Sequence, residues 1–242
     1  MNNANKHLEQ NRQYYNRTAS RYDSDSRREN RNHYRKIIEI LAHLSPVLVP
    51  GALLLEVGVG TGIHAGIVLE RLPDIRYTAV DLSERMLAIA RQRIVGKHGE
   101  IELVATNGEI LPFPENTFDA VFVSGALHHF PHPEVGVAEL IRVLKRKGRF
   151  SIMEPNLLYP TNFIPALAVK EDRNILQIHR WNLKRWLEKL PVCGVQTENI
   201  LYLPPFPARL VHFYERVERV IGTVPFVKEF SIMLHVYGCK NV

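Results

Sequence analysis

Apolar and polar positions alternate along the chain in two rhythms. From Ala52 to Val57 the residues run Ala-Leu-Leu-Leu-Glu-Val, a continuous apolar stretch of strand length that suits a parallel strand buried on both faces. Short runs recur at Tyr77 to Val80, ending on Asp81, at Ile101 to Ala105, at Phe118 to Ser124 and at Phe150 to Met153. Between them the spacing lengthens to the helical period. Ile37, Ile40 or Leu41, and Leu44 share one face of a helix that Pro46 ends, and Ile63 to Arg71 reads as a helix. Ser83 caps another, with Met86, Leu87, Ala90 and Ile94 apolar, and Glu134 to Lys145 is amphipathic, stopped by Gly148. Five strands alternating with helices predict βαβ units, a parallel sheet and right-handed crossovers.

The rhythm breaks after Glu154. Pro155 to Leu190 holds three prolines, two tryptophans and helical stretches, too long for a simple crossover. Val195 to Leu203 and Ile232 to Tyr237 read as two last strands, separated by an aromatic helical segment around Arg209 to Ile221. The expected organisation is one domain. Residues 1–45 form an arm and helix, 46–154 the binding core, 155–190 a helical cap inserted after the fifth strand, and 191–242 the last two strands.

Three strand ends carry the chemistry. Glu56-Val-Gly58-Val-Gly60-Thr-Gly62 follows the first strand, and glycines there let the backbone turn sharply and approach a ligand. A dinucleotide fingerprint wants a small residue where this chain has Ile63, and an acid at Glu56 suits a free ammonium better than a pyrophosphate. A nicotinamide dehydrogenase is disfavoured on both counts. Asp81, followed by Leu82, ends the second strand, where a carboxylate can accept both hydroxyls of an adenosine ribose or simply cap the next helix. Asn107-Gly108-Glu109 follows the third strand. A side-chain oxygen there can accept from an adenine amino group, with Met86 or Ile110 against the ring; an ordinary Asn turn is the plainer reading. All three fall at the carboxyl edge of successive strands, where open α/β sheets bind ligands.

On these residues the chain resembles the class I S-adenosylmethionine-dependent methyltransferases, in particular the small-molecule branch that includes the quinone-biosynthesis C-methyltransferases. The resemblance runs from Tyr14 to about Asn156. It rests on Tyr15-Asn-Arg-Thr-Ala-Ser-Arg-Tyr-Asp23, the Glu56 to Gly62 loop, Val80-Asp-Leu-Ser83 with Met86-Leu87, Asn107 to Phe113, Phe118-Asp-Ala-Val121, Ala126-Leu-His-His-Phe130 and Glu139 to Gly148. These motifs are specific for fold and cofactor and say little about substrate. The resemblance implies a Rossmann-like α/β fold with a seven-stranded, mostly parallel sheet and an antiparallel last strand. It implies bound S-adenosyl-L-methionine, held by Tyr14, Tyr22, Glu56, Gly58, Gly60, Gly62, Asp81, Leu82, Met86, Asn107, Gly108, Glu109 and Ser124, with Tyr14, Tyr15 and Tyr22 closing over it. Two positions depart from the family pattern. Asn107 stands where Asp is usual, and Asn16 replaces an Asp at what reads as a helix start, with little effect expected.

His128 and His129 follow the fourth strand at the rim of the expected pocket, and either can serve as a general base, His128 being the first choice. Glu154, ending the fifth strand, suits substrate contact or a structural hydrogen bond equally. Tyr159, Phe163, Trp181, Trp186, Phe206, Phe213, Tyr214 and Phe226 are candidates for an apolar substrate chamber, although such aromatics also suit an ordinary core. The expected reaction is in-line methyl transfer to a small, partly apolar or aromatic metabolite. An RNA or DNA methyltransferase is the alternative enzyme, and a catalytically silent cofactor-binding module the alternative outside catalysis. Against a base-directed amino-methyltransferase, Ser124-Gly-Ala-Leu127 stands where an Asn/Asp-Pro-Pro-aromatic run belongs.

Composition changes this picture little. The chain has 242 residues, 45% of them apolar, enough to cover a full sheet with helices. Lys and Arg total 31 against 25 acids, a net +6 concentrated in the N-terminal arm. Such an arm, like the basic segment with Arg209, Arg216 and Arg219, can touch nucleic acid or a membrane surface, but a solvated face is the simpler reading. The two cysteines, Cys193 and Cys239, lack CxxC spacing, so no metal site and no disulfide framework are expected, and a cytoplasmic setting fits. Met1 to Arg12 is too polar for a leader, and prolines and glycines break the apolar stretch from Pro46 to Leu69 before it reaches a membrane span. Oligomeric state is not legible.

Overall fold

Seven strands form one sheet in the computed structural model. It describes residues 3–25, 30–97, 100–159, 162, 176–200, 216–217, 220, 224 and 229–242. The strands are β1 (Leu53–Val57), β2 (Arg76–Asp81), β3 (Glu100–Ala105), β4 (Phe118–Ser124), β5 (Leu144–Pro155), β6 (Val192–Ile200) and β7 (Met233–Lys240), in the order β3-β2-β1-β4-β5-β7-β6. Neighbours pair in parallel except β7, which runs antiparallel to both β5 and β6. The helices are α1 (Asn3–Thr18), α2 (Tyr22–Asp25), α3 (Asn30–Leu44), α4 (Ile63–Arg71), α5 (Glu84–Ile94), α6 (Pro133–Val143) and α7 (Arg180–Leu187).

Both faces of the sheet are covered, which is why the strands read as unbroken apolar runs. Leu54, Ala120 and Phe122 pack with α3, α4 and α5 through Ile37, Ile40, Val68 and Leu87. Their neighbours Leu55, Val121 and Val123 face the other way, onto Leu140 and Ile141 of α6 and Leu183 and Leu187 of α7. Strand order reverses between β1 and β4, and the loops leaving these two strands frame the crevice where such sheets take a ligand.

Several boundaries differ from the sequence reading. The expected helix from Glu134 to Lys145 ends at Val143, and β5 starts at Leu144, so Gly148 lies inside the strand element instead of stopping the helix. A Cβ on Gly148 would meet the Asp119 carbonyl at 2.8 Å, so close packing on β4 explains this glycine better than a helix end. The polar arm is helical: α1 covers Asn3–Thr18. Cys193 and Cys239 sit opposite each other across β6 and β7 and form a disulfide, with Cα atoms 5.2 Å apart. The expectation of no disulfide fails because antiparallel pairing joins residues whose spacing in the chain carries no cysteine signature.

In the segment expected to form the cap, residues 180–187 are helical as α7, with Trp186 packed on the core, while Trp181 is 64% exposed. Phe163, Phe206, Phe213, Tyr214 and Phe226, with Arg209 and Arg219, lie outside the described residues. No described helix is long and apolar enough to cross a membrane.

Candidate functional site

Four loops at the carboxyl edge of the sheet and the N-terminal arm above them line a cavity of about 100 Å³. Its floor begins with the glycine loop after β1. Gly58, Gly60 and Gly62 all have left-handed φ, at 78°, 53° and 79°. Gly58 is constrained twice, because a Cβ there would lie 2.2 Å from the Ala126 Cβ of the loop after β4. A Gly58→Ala variant combines a left-handed residue, costing about 1–2 kcal/mol, with a clash worth about 1–3 kcal/mol. Its melting temperature should fall by roughly 5–15 °C. An unchanged melt would mean the two loops are not held in contact.

Asp81 anchors the second loop. One carboxylate oxygen accepts the Gly60 N–H at 2.8 Å and the other the Ser83 N–H at 2.9 Å, tying the loops after β1 and β2 together. Burial pushes its carboxyl up to about 6, against the opposing pull of the Ser83 and Gly60 N–H donors. Leu82 and Met86 line the cavity beside it, and Ser83 caps α5 by accepting the Met86 N–H, as expected. Asn107 and Gly108 line the third side. The Asn107 Oδ1 already accepts the Glu109 N–H at 3.0 Å, an Asx turn of the plainer kind. Met86 is buried against the cavity, whereas Ile110 is 72% exposed and does not line it.

The roof comes from the arm. Leu8, Asn11 and Tyr15 of α1, with Tyr22, line the cavity. Asn11 Nδ2 donates to the His129 carbonyl at 2.6 Å, and its Oδ1 is buried without a partner among the described residues. Two further ties hold the arm down. Asn16 Oδ1 accepts the Ser83 hydroxyl and lies 3.3 Å from the Arg85 N–H, satisfying donors at the start of α5. Asp23 accepts from Thr61 Oγ1 at 2.7 Å and pairs with Arg93 at 2.5 Å. Asn16 is thus not at a helix start: it lies near the end of α1 and ties that helix to the start of α5.

Of the two histidines, His129 lines the cavity, its Nε2 2.7 Å from the Tyr15 hydroxyl. His128 is buried behind it, rings 3.9 Å apart, with Nδ1 2.6 Å from Glu154 Oε2. Glu154 Oε1 accepts the N–H groups of Ala126 and Leu127, so this carboxylate builds the loop after β4 and orients His128.

Five of the expected ligand contacts stand off the cavity wall. Glu56 is buried, accepts the Tyr77 hydroxyl and lies 3.3 Å from His64 Nδ1. Burial pushes its carboxyl up to about 8, with the Tyr77 hydroxyl pulling the other way. Gly62 caps α4 and abuts Ala90, and Glu109 accepts the His132 N–H. Ser124 ends β4 beside the lining Gly125, and Tyr14 packs edge-on against Tyr15. Sequence reasoning missed Leu8 and Asn11, because nothing in a polar arm announces which residues turn inward. Phe130 also lines the cavity; it lay in the matching Ala126 to Phe130 stretch without being singled out.

Residues 55–152 match the methyltransferase-domain family. The chain is 35% identical over 118 residues to the ubiquinone/menaquinone biosynthesis C-methyltransferase UbiE of Brucella abortus (strain S19), an alignment covering 48% of this chain and 44% of that protein. It is 31% identical over 153 residues to the demethylmenaquinone methyltransferase of Thermotoga maritima, covering 63% of this chain and 58% of that one. The chain therefore spans about half the length of these relatives. Haemonchus contortus phosphoethanolamine N-methyltransferase 2, solved in complex with S-adenosyl-L-methionine, shares the fold at TM-score 0.65 and 19% identity, covering 86% of this chain and 53% of that one. The matched segment spans β1 to β5 and carries the glycine loop and Asp81 at its strand ends, and over it the chain is similar to the methyltransferase-domain family and to the quinone C-methyltransferases.

Proposed function

We propose that this chain transfers the methyl group of S-adenosyl-L-methionine to a small, partly apolar or aromatic metabolite. The observation that carries the proposal is the joining of the Gly58–Gly60 cradle to the Asp81 carboxylate in one cavity at the strand ends. The residues present fit the cofactor. Asp81 supplies a charged acceptor for ribose hydroxyls, Gly58 a backbone surface with no Cβ, and Asn11 Oδ1 a buried acceptor still lacking a donor. Met86 and Phe130 supply apolar surface for an aromatic base.

Bound there, the cofactor supplies an activated methyl group on a sulfonium centre. The protein has to align an acceptor in line with that methyl group and keep water out, which supplies about 7–11 kcal/mol of the barrier. Tyr15, hydrogen-bonded to His129, closes the wall of the cavity. Glu154 orients His128 behind His129, and His129, the histidine that lines the cavity, is the one placed to take a proton released by a hydroxyl acceptor.

Incubating the protein with methyl-labelled cofactor and a fractionated metabolite pool, followed by intact mass spectrometry, tests this reading. Label should enter a small molecule, and RNA affinity should be weak and fall steeply with salt. Label appearing only in RNA, through a complex that survives high salt, would reject the substrate class. Cofactor binding without transfer to any fraction would reject the enzyme.

A further inference from the structure

Three ligating side chains meet outside the cofactor cavity, where the last turn of α3 covers the antiparallel edge of the sheet. His43 comes from α3, Glu198 from β6 and His235 from β7. Each offers one nitrogen or oxygen, and these atoms lie within 4.8 Å of one another. His43 Nε2 stands 3.8 Å from Glu198 Oε2.

The surroundings of each group are those of a prepared ligand. His235 is fully buried, at 0% exposure. Its Nε2 lies 2.8 Å from Ser151 Oγ, while its Nδ1 has no hydrogen-bond partner among the described residues. With Nε2–H donating to Ser151, the lone pair falls on Nδ1, the tautomer a metal ion requires; outer partners of ligating histidines commonly select the tautomer in this way. Tyr237 positions the other two. Its ring stacks on His43 with centroids 3.5 Å apart, and its hydroxyl donates to Glu198 Oε1 at 2.5 Å, leaving Oε2 on the His43 side. A buried nitrogen left without a partner is otherwise hard to account for in a close-packed core.

We propose that His43, Glu198 and His235 form a site for a divalent transition-metal ion, zinc being the natural occupant of two imidazoles and one carboxylate, with a remaining position open to water. Bonds of about 2.0–2.2 Å to a tetrahedral ion would draw the ligand atoms to roughly 3.4 Å apart. The required movement falls on His43 and Glu198, whose side chains are 23% and 45% exposed. The bound ion clips the end of α3 to β6 and β7. None of the three residues lines the cofactor cavity, so the site adds a structural or regulatory handle separate from methyl transfer.

The test uses the full chain, free of affinity tags and stripped with a chelator. Zinc titrated by calorimetry should bind at one equivalent with micromolar or tighter affinity and raise the melting temperature by about 5 °C. Cobalt(II) in its place should give the visible bands of a low-symmetry nitrogen–oxygen site. His43→Ala and Glu198→Gln, both at partly exposed positions, should each weaken binding at least tenfold while the protein stays folded. A Cys193→Ser/Cys239→Ser double variant should keep the cobalt spectrum, which separates this site from adventitious thiolate binding. Absence of stoichiometric uptake by the folded protein, or uptake unchanged in both the His43 and Glu198 variants, would overturn the proposal.

Discussion

Asp81→Ala is expected to weaken S-adenosyl-L-methionine binding by about 2–4 kcal/mol, roughly 30- to 800-fold, because a charged acceptor for two hydroxyls is lost. The same carboxylate ties Gly60 and Ser83 to the loop, so part of the effect is indirect. Asp81→Asn keeps the shape while removing the charge, and it should retain the fold yet still lose most of the affinity. Two pH dependences of opposite sign follow from a carboxyl pushed up to about 6. Ligand binding needs the ionised form, so affinity should fall as pH drops through about 6. In the ligand-free protein the folded pKa lies above the ordinary value of 3.8. The contribution of this group to stability is therefore fully present below 3.8 and lost as pH rises through about 6. Asp81→Asn, which does not titrate, should remove this pH dependence from the stability of the free protein while impairing binding. Calorimetry of wild type and both variants from pH 5 to 8, with thermal melts alongside, checks both signs. Unchanged affinity in the two variants would remove Asp81 from the site, and a flat pH profile would remove its charge from the argument.

The second large effect concerns the arm, which we read as a lid. Deleting residues 1–23 removes Leu8, Asn11, Tyr15 and Tyr22 from the cavity wall and the Asn16 and Asp23 ties, yet none of the strands or their paired neighbours. The sheet should stay folded by circular dichroism while turnover falls more than tenfold and cofactor affinity weakens. Closure of such a lid expels water from the sulfonium and holds the acceptor in line. α1 is polar along most of its length and docks through a few side chains, so its hold should strengthen when a ligand fills the cavity beneath it. Amides from Tyr14 to Tyr22 should exchange rapidly in the free protein and slow with cofactor present. Tyr15→Ala offers a milder probe that removes the His129 contact while leaving the Asn16 and Asp23 ties in place. Equal exchange in both states, with full activity after deletion, would make the arm a passenger.

What the sequence determined by itself is the core. The apolar runs of β1, β2, β4 and β5 announce strands buried on both faces, because period and length are local properties that burial imposes directly. Gly58, Gly60 and Asp81 were legible for the same reason: a left-handed turn admits few residues but glycine, and a strand-end carboxylate sits where an α/β sheet leaves its edge open. Other features belong to tertiary structure alone. Which of two adjacent histidines faces the cavity depends on Glu154, a carboxylate brought in by the neighbouring strand. That Glu56 is buried off the cavity wall, between Tyr77 on β2 and His64 on α4, is likewise decided by packing. The Cys193–Cys239 pair and the His43, Glu198 and His235 cluster arise from the register of β6 on β7 and the seating of α3 across them. Residues far apart in the chain meet there because hydrophobic packing of whole elements, rather than any spacing between the residues themselves, decides which side chains face one another.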